Sequence, residues 1–165
     1  MAQVRRTQGP SRAALVAATV SLGDKQGKVG WFAGKNYEKG QPVAGVAAAQ
    51  EQGVAGKFPP RPFFRPTADA QAGAWKQTAA QVSKAVIQGH MPPDSLMEAL
   101  CLKAEGDVRK TITELTSPKL ADATVEARKR KLAKGTLVKA GKTMGIEKPL
   151  VASGLMLATL TSKVE

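Results

Sequence analysis

Cysteine and histidine are almost missing from this sequence of 165 residues, which holds only Cys101 and His90. A single cysteine cannot form a disulfide within the chain, which excludes a small extracellular fold stapled by disulfides. One histidine and one cysteine are also too few for an ordinary zinc site. A nucleophile paired with a histidine would have to use His90, and that residue falls in a turn between two predicted helices. We therefore expect no metal, no cofactor and no catalysis.

Acidic and aromatic residues are scarce as well. The chain has 13 Asp and Glu residues against 25 Lys and Arg residues, which gives a formal net charge of +12. This balance indicates a polyanion, an acidic partner or an anionic surface, without choosing among them. Because aromatic residues make up only 4% of the chain, we expect a thin aliphatic core that neighbouring chains help to stabilise.

Long apolar runs are not found. The best candidate, Ala13–Leu22, is interrupted by Thr19 and Ser21 and is shorter than the roughly 20 residues that a membrane helix needs. The start of the sequence also lacks the pattern of a signal peptide. We expect a protein that works outside membranes.

The N-terminal half predicts short elements. Ala13–Leu22 is ambiguous between helix and strand. Lys28–Ala33 has the bulky residues of a strand, which we expect to pair in a hairpin. A short helix should run between Pro42 and Gly53, because proline favours the first turn of a helix and glycine the position just after its end.

Two longer helices are predicted next. Thr67 is a good N-cap for the first, which should end at Gly89. Asp94 or Ser95 can cap the second, and Cys101 lies on or beside its apolar stripe, so we expect a buried thiol. Helices joined by so short a connection should pack antiparallel.

The C-terminal third predicts a short basic helix over 121–132, then a basic loop at about 133–148, then a helix or strand. Together these elements predict an α+β fold, in which a small antiparallel sheet from the N-terminal half and the C-terminus packs on the two longer antiparallel helices. We expect a single domain over 13–165, preceded by a flexible basic arm over 1–12.

The segment KFPPRPFFRP, residues 57–66, holds three of the four phenylalanines of the chain. Its prolines fix φ and remove backbone donors, so we expect an extended, preorganised segment rather than a helix or a central strand. Phe63 or Phe64 should fill the groove between the helices. Two interpretations stay open: the rings of Phe58, Phe63 and Phe64 dock on a neighbour, or they cover the core of their own chain.

A basic cluster follows the second long helix, and its members are Arg128, Lys129, Arg130, Lys131 and Lys134, with Lys139 and Lys142 further on. Such a cluster could neutralise phosphates, although it lacks the aromatic residues that usually stack on bases. It could equally be a solvated surface or reach an acidic neighbour. The nearby GTLVKAGKT has the wrong spacing for a phosphate-binding loop.

Four segments in order resemble the tail-completion, or head–tail joining, proteins of long-tailed bacteriophages, the group of minor tail protein Z. Val29–Gly53 is similar to the strand, tyrosine loop and short helix of that family. Phe58–Pro66 resembles its Pro-Arg-Pro-Phe signature, and Ser117–Lys131 its Leu-x-x-x-Thr-x-x-x-Lys stretch. Lys148–Glu165 is similar to its Lys-Pro-Leu, small-Gly, Leu ending.

The resemblance implies a structural virion protein, made in the host cytoplasm, that forms a ring, commonly of six subunits. Such rings complete the tail and join it to the filled head, in contact with other neck and tail proteins, and they could also contact the passing DNA. We expect the subunit interface to include Phe58, Arg61, Phe63, Phe64, Arg65, Lys148, Pro149 and Leu150. The alternative is a stand-alone basic nucleic-acid-binding protein.

Overall fold

A computed structural model of the protein describes residues 11–23, 25–92, 94–134, 146–151 and 153–165. These residues form two compact units: unit 1 holds those within 11–28, 72–103 and 162–165, and unit 2 holds those within 29–71 and 104–161. The predicted arm over 1–12 therefore lies largely outside the described residues, as do positions 135–145 of the predicted basic loop. The expectation of one domain over 13–165 stays a prediction.

The described elements are six helices and two strands. In chain order they are α1 (Arg12–Gly23), β1 (Gly27–Gly30), α2 (Val43–Gln52), α3 (Phe64–Ile87), α4 (Asp94–Glu114), α5 (Asp122–Ala133), α6 (Leu155–Thr159) and β2 (Thr161–Val164). A small sheet beside a majority of helix confirms the predicted α+β fold. The residues of Ala13–Leu22, ambiguous in the sequence, lie within helix α1.

The sheet has two strands, β1 and β2, paired with each other. Just beyond them Gln26 and Glu165 exchange backbone hydrogen bonds of 2.7 and 2.9 Å, the reciprocal pattern of antiparallel pairing. The expected pairing of the N-terminal half with the C-terminus is confirmed, and the expected hairpin is wrong. After β1 the chain closes a loop, in which the Tyr37 amide donates to the Gln41 carbonyl, and then enters α2, so no strand follows to complete a hairpin.

Helix α2 begins and ends as predicted, since Pro42 precedes it and Gly53 follows it with φ of 74°. Helix α3 starts at Phe64, earlier than the predicted cap at Thr67. The Thr67 side chain instead lies in the second turn, where its hydroxyl contacts the Phe63 carbonyl at 2.5 Å and the Thr111 hydroxyl at 2.6 Å. The start of α3 thus lies beside the end of α4, as expected for antiparallel helices.

The hydrophobic core lies in unit 2. Its buried members are Val43, Ala47, Phe63, Val108, Ile112, Val151, Met156 and Leu160. The Trp31 ring packs edge-to-face on Phe63, with centroids 5.8 Å apart, and its indole N–H donates to the Met156 carbonyl at 2.7 Å. The scarce aromatic residues are therefore concentrated where α2, α4 and α6 meet around Phe63.

Unit 1 buries less apolar surface. Among the described residues of this unit the buried hydrophobic ones are Val86 and Cys101, and the predicted buried thiol is confirmed. Every large hydrophobic residue found exposed in the described chain belongs to this unit: Val16, Val20, Ile87, Met91 and Leu102. Unit 1 therefore leaves uncovered the kind of surface that proteins normally bury.

Candidate functional site

The proline-rich segment is only partly extended. Residues 64–66 form the first turn of α3, so the prediction that this segment cannot be helical is wrong at its end. Proline is tolerated in a first helical turn because the backbone N–H that it lacks would have no helical partner there.

Glu51, which the sequence analysis did not single out, holds the start of α3. Its carboxylate accepts hydrogen bonds from the backbone N–H groups of Phe63, Phe64 and Arg65 at 2.7, 3.0 and 3.2 Å. These donors belong to the end of the helix that carries unsatisfied N–H groups and a partial positive charge. The Arg65 side chain adds a contact of 3.3 Å. No local pattern links Glu51 with residues twelve or more positions later, so the cap could not be read from the sequence.

The environment of Glu51 changes its acidity. Burial acts to raise the pKa of the carboxyl, but the three backbone donors and Arg65 act against it, and the pKa lies below its ordinary value. Glu51 therefore stays ionised to lower pH in the folded chain than in the unfolded one.

Arg61 is a buried cation, only 5% exposed. Its Nε donates to the Pro118 carbonyl at 3.1 Å, its Nη2 to the Lys119 carbonyl at 3.3 Å, and its Nη1 to Gln50 Oε1 at 3.2 Å. All three acceptors are neutral, and no described carboxylate pairs with this guanidinium. Arg61 therefore ties α2 to the chain before α5 while its charge stays uncompensated within the described residues.

Arg128 lies close to this buried charge. Its Nη1 donates to the carbonyls of Ile146 and Lys148 at 3.3 and 2.8 Å. Burial, and then repulsion from the Arg61 charge, lowers the pKa of Arg128. Two guanidinium groups thus share one partly desolvated region of unit 2.

Both arginines line a cleft of about 580 Å³ in unit 2. Lys57 and Lys119 add two further cations, and the lining also holds the side chains of Tyr37 and Phe58. None of the described residues that line this cleft is an aspartate or a glutamate. We call it the basic cleft, and it is the most chemically distinctive site of the described chain.

The expected interface residues are dispersed. Phe63 is 1% exposed and has almost no surface left for a neighbour, while Phe64 packs against the same core. Phe58 and Leu150 line the basic cleft, and Leu150 has an unusual positive φ of 66°. Their role in subunit contacts stays a prediction.

The remaining expected interface residues differ in their burial and in their contacts. Pro149 is buried, and the Lys148 ammonium donates to the Thr113 carbonyl at 2.8 Å. Arg65 is largely exposed beside Glu51, whereas Arg61 is buried.

The predicted basic surface divides in two. Lys129, Arg130, Lys131 and Lys134 are exposed on or just after α5, whereas Arg128 is half-buried in the cleft. The exposed members include Lys129, whose ammonium contacts Glu126 at 2.9 Å. We call these four exposed residues the α5 face.

Other chemistry is not apparent in the part of the chain that the structure describes. No group of three or more His, Cys, Asp or Glu side chains there is arranged to hold a metal ion. Within the same residues no helix has both the length and the apolar character needed to cross a membrane.

Comparisons of the chain with protein-family models, with curated proteins and with solved structures find no match. The likeness to phage tail-completion proteins therefore depends on the four sequence segments alone.

Proposed function

We propose that this protein is a structural component of the neck or tail end of a phage particle. It forms a ring, of six subunits by analogy with the family that it resembles, which completes the tail and joins it to the head. It acts in the virion, after synthesis in the host cytoplasm, by contacting copies of itself and other neck and tail proteins, and it is not an enzyme.

The observation that carries the proposal is the exposed apolar character of helix α1. Its sequence, RAALVAATVSLG, is apolar almost all round, and a helix of that kind is normally buried. Yet Val16 and Val20 are 57% and 63% exposed, and residues four apart lie on one face of a helix. A neighbouring subunit that covers this face would explain why unit 1 buries so little of its own apolar surface.

A pair of substitutions tests the self-assembly that the proposal needs. The variant Val16→Glu/Val20→Glu should stay monomeric by light scattering at concentrations where the unaltered protein forms a ring, because two charges would have to be buried in the contact. The matched control is Gln77→Glu/Gln81→Glu, which adds the same charges at exposed positions four apart on α3. An assembly that tolerates the α1 changes as well as the α3 changes would contradict this role of α1.

The joining role itself is tested by negative-stain electron microscopy of a lysate from phage that lacks the gene. Filled heads lying beside separate tails, or tails with abnormal ends, are the expected result. Normal joined particles would refute the proposal.

The second candidate is a stand-alone nucleic-acid-binding protein, which the exposed cations of the α5 face favour. Binding through phosphates should weaken steeply as salt rises, because each neutralised phosphate releases counterions. Steep salt dependence of DNA binding by the isolated protein, combined with its absence from purified particles, would favour this candidate.

A further inference from the structure

We propose that the basic cleft of unit 2 binds a segment of an acidic partner protein that presents a carboxylate between apolar side chains. This inference assigns a ligand class to the cleft and does not depend on the virion role.

Arg61 makes fewer hydrogen bonds to the described residues than its guanidinium can donate. A guanidinium has five N–H donors, and the bonds to Pro118, Lys119 and Gln50 use one each. One N–H on each terminal nitrogen thus has no acceptor among the described residues. Arginine commonly binds carboxylates through two parallel hydrogen bonds, so an incoming carboxylate could use these donors and supply the missing counter-charge.

The charged side chains that line the cleft with Arg61 are all cations. Lys57, Lys119 and Arg128 line the same cleft, and none of the described lining residues is acidic. A buried cation without a paired charge is costly, and a second guanidinium nearby adds repulsion. An anion that enters the cleft relieves both costs, whereas a cation or a neutral ligand relieves neither.

The apolar part of the lining indicates what kind of molecule carries the anion. Apolar side chains form much of the remaining lining, among them Val46, Phe58, Leu120 and Met156. A volume of about 580 Å³ lies in the range of pockets that enclose most of a small ligand and can hold a few side chains. A carboxylate flanked by apolar side chains matches both parts of this lining.

Two other occupants fit less well. A nucleic acid presents a row of phosphates, and four exposed cations follow one another on the α5 face, whereas the cleft has two exposed cations, Lys57 and Lys119, at its rim. A second copy of this chain carries a net charge of +12, so its surface matches a cleft lined with cations less well than an acidic segment does. Charge complementarity therefore favours a different, acidic chain.

The test uses two fluorescent peptides on the full-length protein, one alternating glutamate with leucine and one alternating glutamine with leucine. Anisotropy should show binding of the glutamate peptide only. In protein labelled with ¹⁵N, the same titration should shift the arginine Nε–H signals of Arg61 and Arg128, which locates the peptide in the cleft.

Substitutions at the rim provide the matched comparison and spare the buried arginine. Lys57→Gln/Lys119→Gln should weaken binding of the glutamate peptide by about two- to thirtyfold, since two exposed charge pairs are lost at roughly 0.2–1 kcal/mol each. Lys131→Gln/Lys134→Gln removes the same amount of charge from the α5 face and should change the affinity for the glutamate peptide less than twofold.

Three results would overturn the proposal: equal affinity for the two peptides, equal losses in the two double variants, or binding of duplex DNA but of neither peptide. If binding of the glutamate peptide falls as the protein concentration rises, a second copy of the chain competes with the peptide for the cleft. That result would also reject an acidic partner of a different kind. Because none of these results depends on particle assembly, a failure here leaves the proposed joining role to its own test.

Discussion

The cap that Glu51 places on helix α3 leads to a sharp stability prediction. Replacing Glu51 with alanine removes the acceptor of three backbone N–H groups and the negative charge at the helix start. Loss of a helix cap costs about 0.5–2 kcal/mol, and loss of a favourable charge at a helix N-terminus about 0.3–1 kcal/mol. The pair with Arg65 adds little, since Arg65 is 70% exposed and solvent screens such pairs. We expect Glu51→Ala to lower the free energy of unfolding by about 2 kcal/mol.

The variant Glu51→Gln separates the hydrogen bonds from the charge. Its amide oxygen can still accept from the backbone, so it should lower the free energy of unfolding by about 1 kcal/mol at neutral pH. Urea unfolding followed by the helical circular dichroism signal measures both values. Glu38→Gln is the matched control, because Glu38 is exposed in the loop before α2, and it should behave like the unaltered protein.

The dependence on pH has a defined sign. The pKa of Glu51 is lower in the folded chain than its ordinary value of 4.5, so the folded state binds fewer protons than the unfolded state between the two values. Its contribution is fully present above the unfolded pKa and is lost as the pH falls through the folded pKa. As the pH falls from the unfolded to below the folded pKa of Glu51, the difference in free energy of unfolding between the unaltered protein and Glu51→Gln should therefore disappear. A difference that stays constant at lower pH, or no difference at neutral pH, would refute the capping role.

Three further predictions follow from the packing. A methyl group at Gly27 would lie 2.4 Å from Cys101 Sγ. Gly27→Ala should therefore lower the free energy of unfolding by about 1–3 kcal/mol, and by clearly less in a Cys101→Ala background. Equal decreases in the two backgrounds would contradict the clash. Burial raises the pKa of the Cys101 thiol, so a thiol-reactive dye should label it far more slowly in the native protein than in urea, and equal rates would show an open site. Phe63→Ala should lower the free energy of unfolding by about 3–5 kcal/mol and Phe64→Ala by less in the same urea assay, because only Phe63 is fully buried; a folded Phe63→Ala protein that merely fails to assemble would instead support the interface interpretation.

Local signals predicted much of the secondary structure. The proline before α2 and the glycine after it favour the start and the end of that helix through the adjacent turn alone. The acidic residue at the start of α4 and the apolar spacing along α4 favour a helix through residues a few turns apart at most. Such effects depend on near neighbours in the chain, so they can be predicted from the sequence. The start of α3 escaped prediction because Thr67 is a good local cap, whereas the residue that caps the helix, Glu51, lies on another helix.

The candidate site could not be predicted from the sequence either, because it also depends on contacts between residues that are distant in the chain. Arg61 and Arg128 both stood out in the sequence, one as an interface residue and one as part of a basic cluster, but nothing in the sequence placed them in one cleft. Their proximity depends on the path of the chain between α4 and α5, where Pro118 and Lys119 offer their carbonyls to Arg61.

The sequence by itself determined the strong positive charge, the single thiol, the succession of helical and strand-forming segments, and the concentration of phenylalanines in residues 57–66. Composition and short-range periodicity fix these properties whatever the tertiary path. Only the tertiary structure decided that β1 pairs with β2, that Glu51 rather than Thr67 caps α3, and that Arg61 and Arg128 line one cleft whose described lining residues include no carboxylate. Each of these is a contact between residues distant in the chain, and its energy comes from desolvation and hydrogen bonding that exist only once the chain has folded.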